Sequence, residues 1–201
     1  MRISPDWRPR LVVMVKEPRP GRVKTRLARG IGTIGAAYWF RRQVLGLLRR
    51  VEDPRWELIL AVAPDREGMT SRFWPGHLPR IPQGPGNLGD RMGRIFRDLP
   101  PGPVLIVGAD IPGITRVEVH RAFQAFRSAE AVIGPGEDGG YWLIGLKRIS
   151  AVPECLFRGV RWSTQHAAED TISTLPGCRV ARTSTLADVD TAADLAHVKS
   201  L

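Results

Sequence analysis

Four basic side chains within eight residues of the chain could bind a phosphate group. Arg19, Arg22, Lys24 and Arg26 lie in a Pro/Gly-rich segment, Lys16–Leu27, that follows a short apolar run. Cations this close repel one another, and a bound polyanion would relieve the repulsion. Backbone N–H groups and the N-terminus of a following helix would add positive potential. The segment lacks the GxxxxGK[ST] spacing of a Walker loop, and its other interpretation is a solvated basic turn.

Three acidic residues are candidates for chemistry at the edge of a sheet. Asp110 comes shortly after the apolar run Val104–Val107, and Asp188 and Asp190 stand one residue apart. In open α/β sheets the ligand crevice lies beyond the carboxyl ends of the strands, which is where Asp110 is expected. Alternate residues of an extended segment point the same way, so Asp188 and Asp190 would face one side together. Asp110 could also simply cap a turn, because a proline follows it closely.

A second glycine-rich loop, Gln83–Met92, could bring its backbone close to a ligand. Its glycines permit such an approach, and the side-chain amides of Gln83 and Asn87 could read a base edge. The loop is predicted to lead into a helix that continues to about Leu99. An ordinary flexible connection is the alternative interpretation of the same residues.

Asp138 lies in a third glycine-rich turn, Gly136–Gly140. Asp-Gly-Gly between two apolar runs is typical of a hairpin, so Ala131–Pro135 and Tyr141–Leu146 are predicted to form antiparallel strands. The paired glycines also leave room for a substrate beside the Asp138 carboxylate. Asp138 could therefore hold an acceptor or deprotonate its hydroxyl, or it could only make the turn.

An alternating series of strands and helices would position these residues. Apolar, β-branched runs predict buried strands at Leu11–Val15, Leu58–Val62, Val104–Val107 and Ala131–Pro135, with a short strand around Arg80–Ile81. Amphipathic patterns and capping residues predict helices at Thr33–Val51, Thr115–Arg127 and Gln165–Leu175, the last capped by Ser163 or Thr164, and a final helix capped by Thr191 with Asp194. No repeat or linker interrupts the series, so a single α/β domain over residues 1–201 is expected.

The net charge of +10 favours a polyanionic ligand. Nucleic acid, an anionic surface and a phosphorylated substrate are all compatible with such a charge. The basic residues are scattered along the chain, and no recognition helix, RNP pattern or zinc spacing accompanies them. Nucleic-acid binding is therefore the least favoured of the functions considered.

We expect a cytoplasmic location without membrane attachment. No apolar run approaches the roughly 20 residues that span a bilayer, and Met1–Arg10 lacks the pattern of a secretory signal. The two cysteines, Cys155 and Cys178, form no CxxC pair, which favours reduced thiols.

Six motifs, taken in order, resemble a family of bacterial proteins in the nucleotide-diphospho-sugar transferase (glycosyltransferase-A) superfamily. They are KEPRPGRVKTRL, QGPGNLGDRM, VLIVGADIPGIT, GPGEDGGYWLIGL, WST and DVDTAADL, and the match runs from about Leu11 to Leu195. Members are described as domain-of-unknown-function proteins or as glycosyltransferases linked to radical-SAM and arsenosugar neighbourhoods. The layout is more distantly similar to phospholactate and molybdenum-cofactor guanylyltransferases. The resemblance implies a three-layer αβα sandwich with a mostly parallel, Rossmann-like sheet and one antiparallel element.

The resemblance also implies roles for individual residues. The implied nucleotide-binding residues are Gly21, Lys24, Arg26, Gln83, Gly84, Asn87 and Arg91. An Mg²⁺ or Mn²⁺ ion would be held by Asp110 and Asp190, with Asp188 as the alternative to Asp190. The residues expected to take part in catalysis are Asp110, Lys24 and Asp138.

The expected function is metal-dependent transfer from a nucleotide sugar to a small-molecule acceptor. Such a reaction expels a diphosphate-type leaving group, whose growing negative charge a hard cation and basic side chains would neutralise. The usual DxD motif of glycosyltransferases stands here as Gly108-Ala109-Asp110, with a single acid. That departure favours the alternative function, a nucleotidyltransferase that releases pyrophosphate from an NTP.

Overall fold

The computed structural model describes residues 7–199, and a seven-stranded mixed sheet forms its centre. The strands are β1 (Arg10–Lys16), β2 (Glu57–Ala63), β3 (Arg80–Pro82), β4 (Val104–Val107), β5 (Ala131–Pro135), β6 (Tyr141–Leu146) and β7 (Val180–Arg182). Their order in the sheet is β3-β2-β1-β4-β6-β5-β7. β6 runs antiparallel to both of its neighbours, and all other pairs are parallel.

The central strands are buried on both faces, as their uninterrupted apolar runs predict. Val12 of β1 lies opposite Ile59 of β2 and Ile106 of β4, and all three side chains are buried. The predicted strands and the antiparallel pairing of β5 with β6 are confirmed. The carboxyl ends of β1, β2 and β4 therefore lie along one edge of the sheet, where ligands bind in this class of fold.

Helices cover both faces of the sheet. Within residues 7–199 they are α1 (Thr25–Val51), α2 (Asp65–Thr70), α3 (Leu88–Asp98), α4 (Arg116–Ala125), α5 (Ala167–Ser173) and α6 (Ala192–Lys199). Apolar side chains of α1 and α4 pack with Leu11 and Val13 on one face. Those of α3 and α5 pack with Val12 on the other. Successive β1 side chains thus supply two separate cores, and the αβα sandwich that the sequence predicts is confirmed.

The boundaries of two predicted helices are wrong. α1 begins at Thr25 rather than Thr33, and it continues through a kink at Gly32, where φ is 75° and ψ is 159°. The glycines near this point suggest a break, but Leu27 packs with the buried Val189 and Leu195 and thereby fixes the early turns. α5 spans Ala167–Ser173 rather than residues 165–175.

The predicted caps have mixed outcomes. Thr115 accepts a hydrogen bond from the Glu118 N–H (3.3 Å) and Thr191 accepts one from the Asp194 N–H (3.3 Å), as predicted. The N-cap of α5 is His166 rather than Ser163 or Thr164, and its side chain makes no capping bond. The Thr164 hydroxyl instead accepts from the His166 N–H at 3.2 Å, one turn before the helix proper.

Within residues 7–199, no helix is both long enough and apolar enough to pass through a bilayer. The segment Met1–Arg10, where no secretory signal is predicted, lies mostly outside the described residues.

Candidate functional site

Three carboxylates meet at the carboxyl-end edge of the sheet. Asp110 follows β4, and Asp188 and Asp190 lie in the segment before α6; one oxygen of each lies within 4.8 Å of the others. The Val189 N–H donates to the Asp110 carbonyl at 3.2 Å, which joins the two segments. Val189 is fully buried, so the acids on either side of it point together into the cleft. The structure therefore brings together acids that are far apart in the sequence.

The Lys24 ammonium group lies between two of these carboxylates. Its Nζ is 2.5 Å from Asp110 Oδ2 and 2.6 Å from Asp190 Oδ1. Arg26 Nη1 lies 3.1 Å from the other oxygen of Asp190. The Lys24 side chain is 7% exposed, whereas those of Asp110 and Asp190 are 31% and 35% exposed, so the contact is partly shielded from solvent. The basic loop thus contributes a cation to the acidic cluster, a contact that the sequence does not predict.

Two further cations of the basic loop pair with an acid outside the cluster. Arg19 and Arg22 lie 3.7 Å and 3.3 Å from the Glu67 carboxylate of α2. Gly21, between them, is exposed and has φ of 75°, with open space where a Cβ would lie. Any contact of Gly21 with donor phosphates stays a prediction.

Charge and burial set the protonation of the cluster. Burial acts to lower the pKa of Lys24, but the adjacent Asp110 and Asp190 outweigh it and hold that pKa above its ordinary value. The pKa of Asp188 is raised to about 6, first by loss of solvent around its carboxyl group and then by the charges of Asp190 and Asp110. Lys24 is therefore firmly protonated at neutral pH.

Two cavities of opposite character meet at Asp110. The larger, of about 560 Å³, is lined by apolar residues, by Asp110 and Asp190, and by five basic residues, Lys16, Arg22, Lys24, Arg26 and Arg91. The smaller, of about 180 Å³, has an acidic and aromatic wall that includes Asp138, Asp188, Tyr141, Trp142 and Trp162. Asp110, Gly108 and Leu88 line both cavities. One half of the cleft therefore suits phosphate groups, and the other suits an uncharged polar molecule.

The acids that line the smaller cavity, Asp110, Asp138 and Asp188, are among the site residues that the sequence predicts, whereas its aromatic residues are not. Asp138 lies in the turn between β5 and β6. Its Oδ1 accepts a hydrogen bond from the Gly140 N–H at 2.9 Å, so Asp138 both makes the turn and lines the cavity. Trp162 and Ser163 of the WST motif line the same cavity, and Ser163 has φ of 59°, which is unusual for a residue other than glycine. The sequence carries the motif but nothing that separates it from an ordinary helix start.

The Gln83 side chain forms hydrogen bonds with neighbouring strands inside the fold. It is 5% exposed, and its Nε2 donates to the carbonyl oxygens of Val15 (3.1 Å) and Ala61 (2.8 Å) at the ends of β1 and β2. Arg91 donates to its Oε1 at 3.3 Å. Each hydrogen-bonding atom of this amide thus has a protein partner, while Gln83 also lines the larger cavity. A contact of the Gln83 amide with a base edge stays a prediction.

The rest of the second glycine-rich loop is also tied to its neighbours. Asn87 caps α3 by accepting from the Asp90 N–H (3.1 Å), and Asp90 accepts in return from the Asn87 N–H (2.9 Å). The Gly84 N–H donates to Asp65 at 3.1 Å. The Asn87 oxygen is therefore engaged in capping, while Arg91 keeps its place in the wall of the basic cavity.

Comparisons with known proteins agree with this architecture. Residues 47–164 match the family described as "Uncharacterized protein conserved in bacteria (DUF2064)". A candidate nucleotide-diphospho-sugar transferase from Desulfovibrio desulfuricans G20 is 30% identical, with a TM-score of 0.76 over 91% of this chain and 82% of that one. No curated protein matches the chain.

More distant solved structures share the fold. A 4-diphosphocytidyl-2C-methyl-D-erythritol synthase from Anaerococcus prevotii DSM 20548 is 11% identical, with a TM-score of 0.61 over 96% of this chain and 95% of that one. The manganese complex of Rv0371c from Mycobacterium tuberculosis H37Rv is 13% identical, with a TM-score of 0.56 over 96% of this chain and 98% of that one. At these identities the likeness concerns the fold alone.

Proposed function

The protein belongs to the bacterial DUF2064 family, and from this premise and the geometry of the cleft we propose that it is a metal-dependent transferase using a nucleotide-activated donor. The donor is a nucleotide sugar, and the acceptor is a small molecule. The 30% identical relative from Desulfovibrio desulfuricans G20, described as a candidate nucleotide-diphospho-sugar transferase, supports this choice of donor. A cytoplasmic location and a single-domain organisation are part of the proposal.

The observation that carries the proposal is the position of Asp110 between two unlike cavities. The basic cavity would hold the donor phosphates against Arg22, Arg26 and Arg91. The acidic and aromatic cavity would hold the transferred sugar or the acceptor, whose hydroxyl groups can bond to Asp138. A group that moves from one substrate to the other must pass the point where the two cavities join, and Asp110 lies there.

The acidic cluster fits a divalent cation. Mg²⁺ and Mn²⁺ prefer oxygen ligands such as carboxylates, and Asp110, Asp188 and Asp190 offer three such groups within 4.8 Å of one another. Asp110 and Asp190 would hold the ion, with Asp188 as the alternative to Asp190. When bound, the ion supplies positive charge opposite the diphosphate leaving group.

The chain's own residues would do the remaining work. Arg26 and Lys24 would add charge on the donor side, where the leaving group becomes more negative in the transition state. Asp138 would orient an acceptor hydroxyl or remove its proton. For either role, the hydroxyl must lie within hydrogen-bond distance of the Asp138 carboxylate in the smaller cavity.

Nucleotidyl transfer is the second candidate reaction. The observation that favours it is the single acid of Gly108-Ala109-Asp110, where glycosyltransferases of this fold carry two. Such an enzyme would release pyrophosphate from an NTP rather than a nucleoside diphosphate from a nucleotide sugar. Kinship with glycosyltransferases of radical-SAM and arsenosugar neighbourhoods, or with guanylyltransferases, rests on the sequence motifs alone.

A thermal-shift screen of nucleotides and nucleotide sugars, with and without Mn²⁺, tests the proposal. A ligand that binds only the folded state at 100 times its Kd stabilises it by about 2.7 kcal/mol, which raises the unfolding midpoint measurably. We expect at least one nucleotide sugar to do so, and more strongly with Mn²⁺. The proposal is wrong if no nucleotide or nucleotide sugar raises the midpoint in either condition.

A further inference from the structure

The acidic cluster contains a positive charge that belongs to the chain itself. Lys24 Nζ lies 2.5 Å from an oxygen of Asp110 and 2.6 Å from an oxygen of Asp190. The second oxygen of Asp190 lies 3.1 Å from Arg26. Both oxygens of Asp190 and one of Asp110 are thus engaged with protein cations, and these are the carboxylates to which we assign the metal ion.

The backbone around Lys24 is fixed, whereas its side chain can move. Val23 and Leu27 are buried on either side, and the Lys24 carbonyl accepts from the Ala28 N–H (2.9 Å) in the first turn of α1. The residue itself is in the left-handed region, with φ of 48° and ψ of 50°. In this conformation the side chain reaches into the cleft, where its Nζ contacts Asp110 and Asp190. A lysine side chain has a flexible four-carbon stem, so the ammonium group can change partners without movement of the helix.

A divalent cation and the Lys24 ammonium group would compete for the same oxygens. Like charges a few ångströms apart repel, and the ion and the ammonium group would use the same carboxylate oxygens, so an ion on Asp110 and Asp190 requires Lys24 to leave them. Lys24 also lines the basic cavity, where the donor phosphates would lie. Those phosphates are the anions to which the displaced ammonium group could turn.

From this arrangement, and resting on the proposed function, we propose that Lys24 is an internal competitor of the metal ion that is released by the donor. Without donor, Lys24 neutralises Asp110 and Asp190 and keeps the affinity for metal low. When a donor binds, the ammonium group exchanges the carboxylates for phosphate, and the oxygens become free for the ion. Metal and donor therefore raise each other's affinity by the same factor, and Lys24 carries most of that coupling.

Titration of Mn²⁺ into the nucleotide-free protein tests the inference, with unbound Mn²⁺ measured by electron paramagnetic resonance. Lys24→Met removes the competing charge, and we expect it to bind Mn²⁺ at least about tenfold more tightly than the wild type, given the strength of close charge–charge interactions. Arg19→Met is the matched control, because it removes one charge from the same loop on the side of Glu67. We expect the control to bind Mn²⁺ as the wild type does.

A second titration in the presence of UDP measures the coupling. UDP should strengthen Mn²⁺ binding to the wild type and strengthen it much less in Lys24→Met. Thermal unfolding verifies that each variant is folded. If Lys24→Met is not folded, Lys24→Gln replaces it in both titrations. In the wild type, saturating Mn²⁺ should also raise the rate at which acetic anhydride modifies Lys24, a readout that needs no variant.

The possible results separate the two proposals. If UDP strengthens Mn²⁺ binding to the wild type but the Lys24 variants bind Mn²⁺ no more tightly than the wild type, the competitor role is overturned and the metal site stands. An unchanged Lys24 modification rate on Mn²⁺ saturation also overturns the competitor role. If Mn²⁺ binds to no protein with or without UDP, the metal site fails, and the competitor role with it.

Discussion

At the scale of the residue, the wall of the smaller cavity depends on one glycine. Gly139 has φ of 81°, and a Cβ at this position would overlap the backbone of Gln165. The Gly139 carbonyl also accepts from the Ala168 N–H at 3.1 Å, in the first turn of α5. The turn that carries Asp138 therefore packs directly against the segment that carries Trp162.

We predict that Gly139→Ala is destabilising, because the backbone must both enter an unfavourable region and move away from Gln165. Gly177→Ala is the matched control, since Gly177 has φ of 73° but open space around it. The control should lose about 1 kcal/mol for the backbone strain alone, and Gly139→Ala should lose at least about 2 kcal/mol. Urea unfolding of both variants measures the difference, and equal losses would show that the packing against Gln165 is unimportant.

The sequence predicts which residues reach the cleft better than it predicts their partners. Asp110 could be placed at the ligand-binding edge because it follows a buried strand, and the resemblance to a known family pairs it with Asp190. The contact of Lys24 with them could not be predicted, because the resemblance assigns Lys24 to the donor phosphates rather than to the acidic residues. Gln83 shows the same limit. Its amide group serves two strand carbonyls, a requirement that appears only when β1 and β2 are paired.

At the scale of the element, an acidic residue joins the end of α1 to the start of α4. Asp53 lies 2.7 Å from Arg55 and 3.3 Å from Arg116, the first residue of α4. The Asp53 side chain is 8% exposed. Hydrogen bonds from Arg55, above all from its side chain, lower the pKa of Asp53 to about 2, and the charge of Arg116 adds to this effect.

This depressed pKa predicts a specific dependence of stability on acid. A carboxylate with a lower pKa in the folded state stabilises the fold above its unfolded pKa of about 3.9, and the contribution is lost as the pH falls towards 2. The free energy of unfolding of Asp53→Asn should therefore lie below that of the wild type at pH 7, and the gap should narrow between pH 4 and 2. Urea titrations across this range measure it, and a gap that is constant with pH would contradict the assigned pKa.

Elements with a clear apolar pattern are the ones that the sequence predicts. β1, β2, β4 and β5 are uninterrupted apolar runs, a pattern that favours a buried strand. Their predicted bounds agree with the observed bounds within a residue or two. The predicted start of α1 is wrong because the glycines near Gly32 suggest a break, whereas the packing of Leu27 on Val189 and Leu195 holds the earlier turns in the helix. That packing joins segments far apart in the chain, so no local pattern contains it.

At the scale of the whole molecule, the basic residues are spread over the surface, but several of them meet in one cavity. The chain carries a net charge of +10, and many of its arginines are paired with acids or carbonyl groups on the surface. The larger cavity instead collects several cations on one wall. This distribution favours a small polyanion in a cleft over a long polyanion on a face.

We therefore predict weak binding to nucleic acid. Random duplex DNA should bind with a Kd no tighter than about 10⁻⁶ M at physiological salt, the range of sequence-independent electrostatic binding. Fluorescence anisotropy measures the Kd at salt concentrations between 50 and 200 mM. Electrostatic binding to DNA weakens strongly over this range. Tighter binding at physiological salt with a steep salt dependence would favour a nucleic-acid partner instead.

The central claim is that Asp110 serves a metal-dependent transfer at the junction of the two cavities. The most direct measurement follows product release from nucleotide sugars and from NTPs, with Mn²⁺ or with EDTA and with water in place of the acceptor. For the wild type with Mn²⁺, we predict slow release of a nucleoside diphosphate from a nucleotide sugar, or of pyrophosphate if the second candidate reaction is correct. EDTA should abolish release, and Asp110→Asn, which keeps the shape and removes the charge, should reduce it by at least about 100-fold. Turnover without metal, or full activity in Asp110→Asn, would contradict the claim.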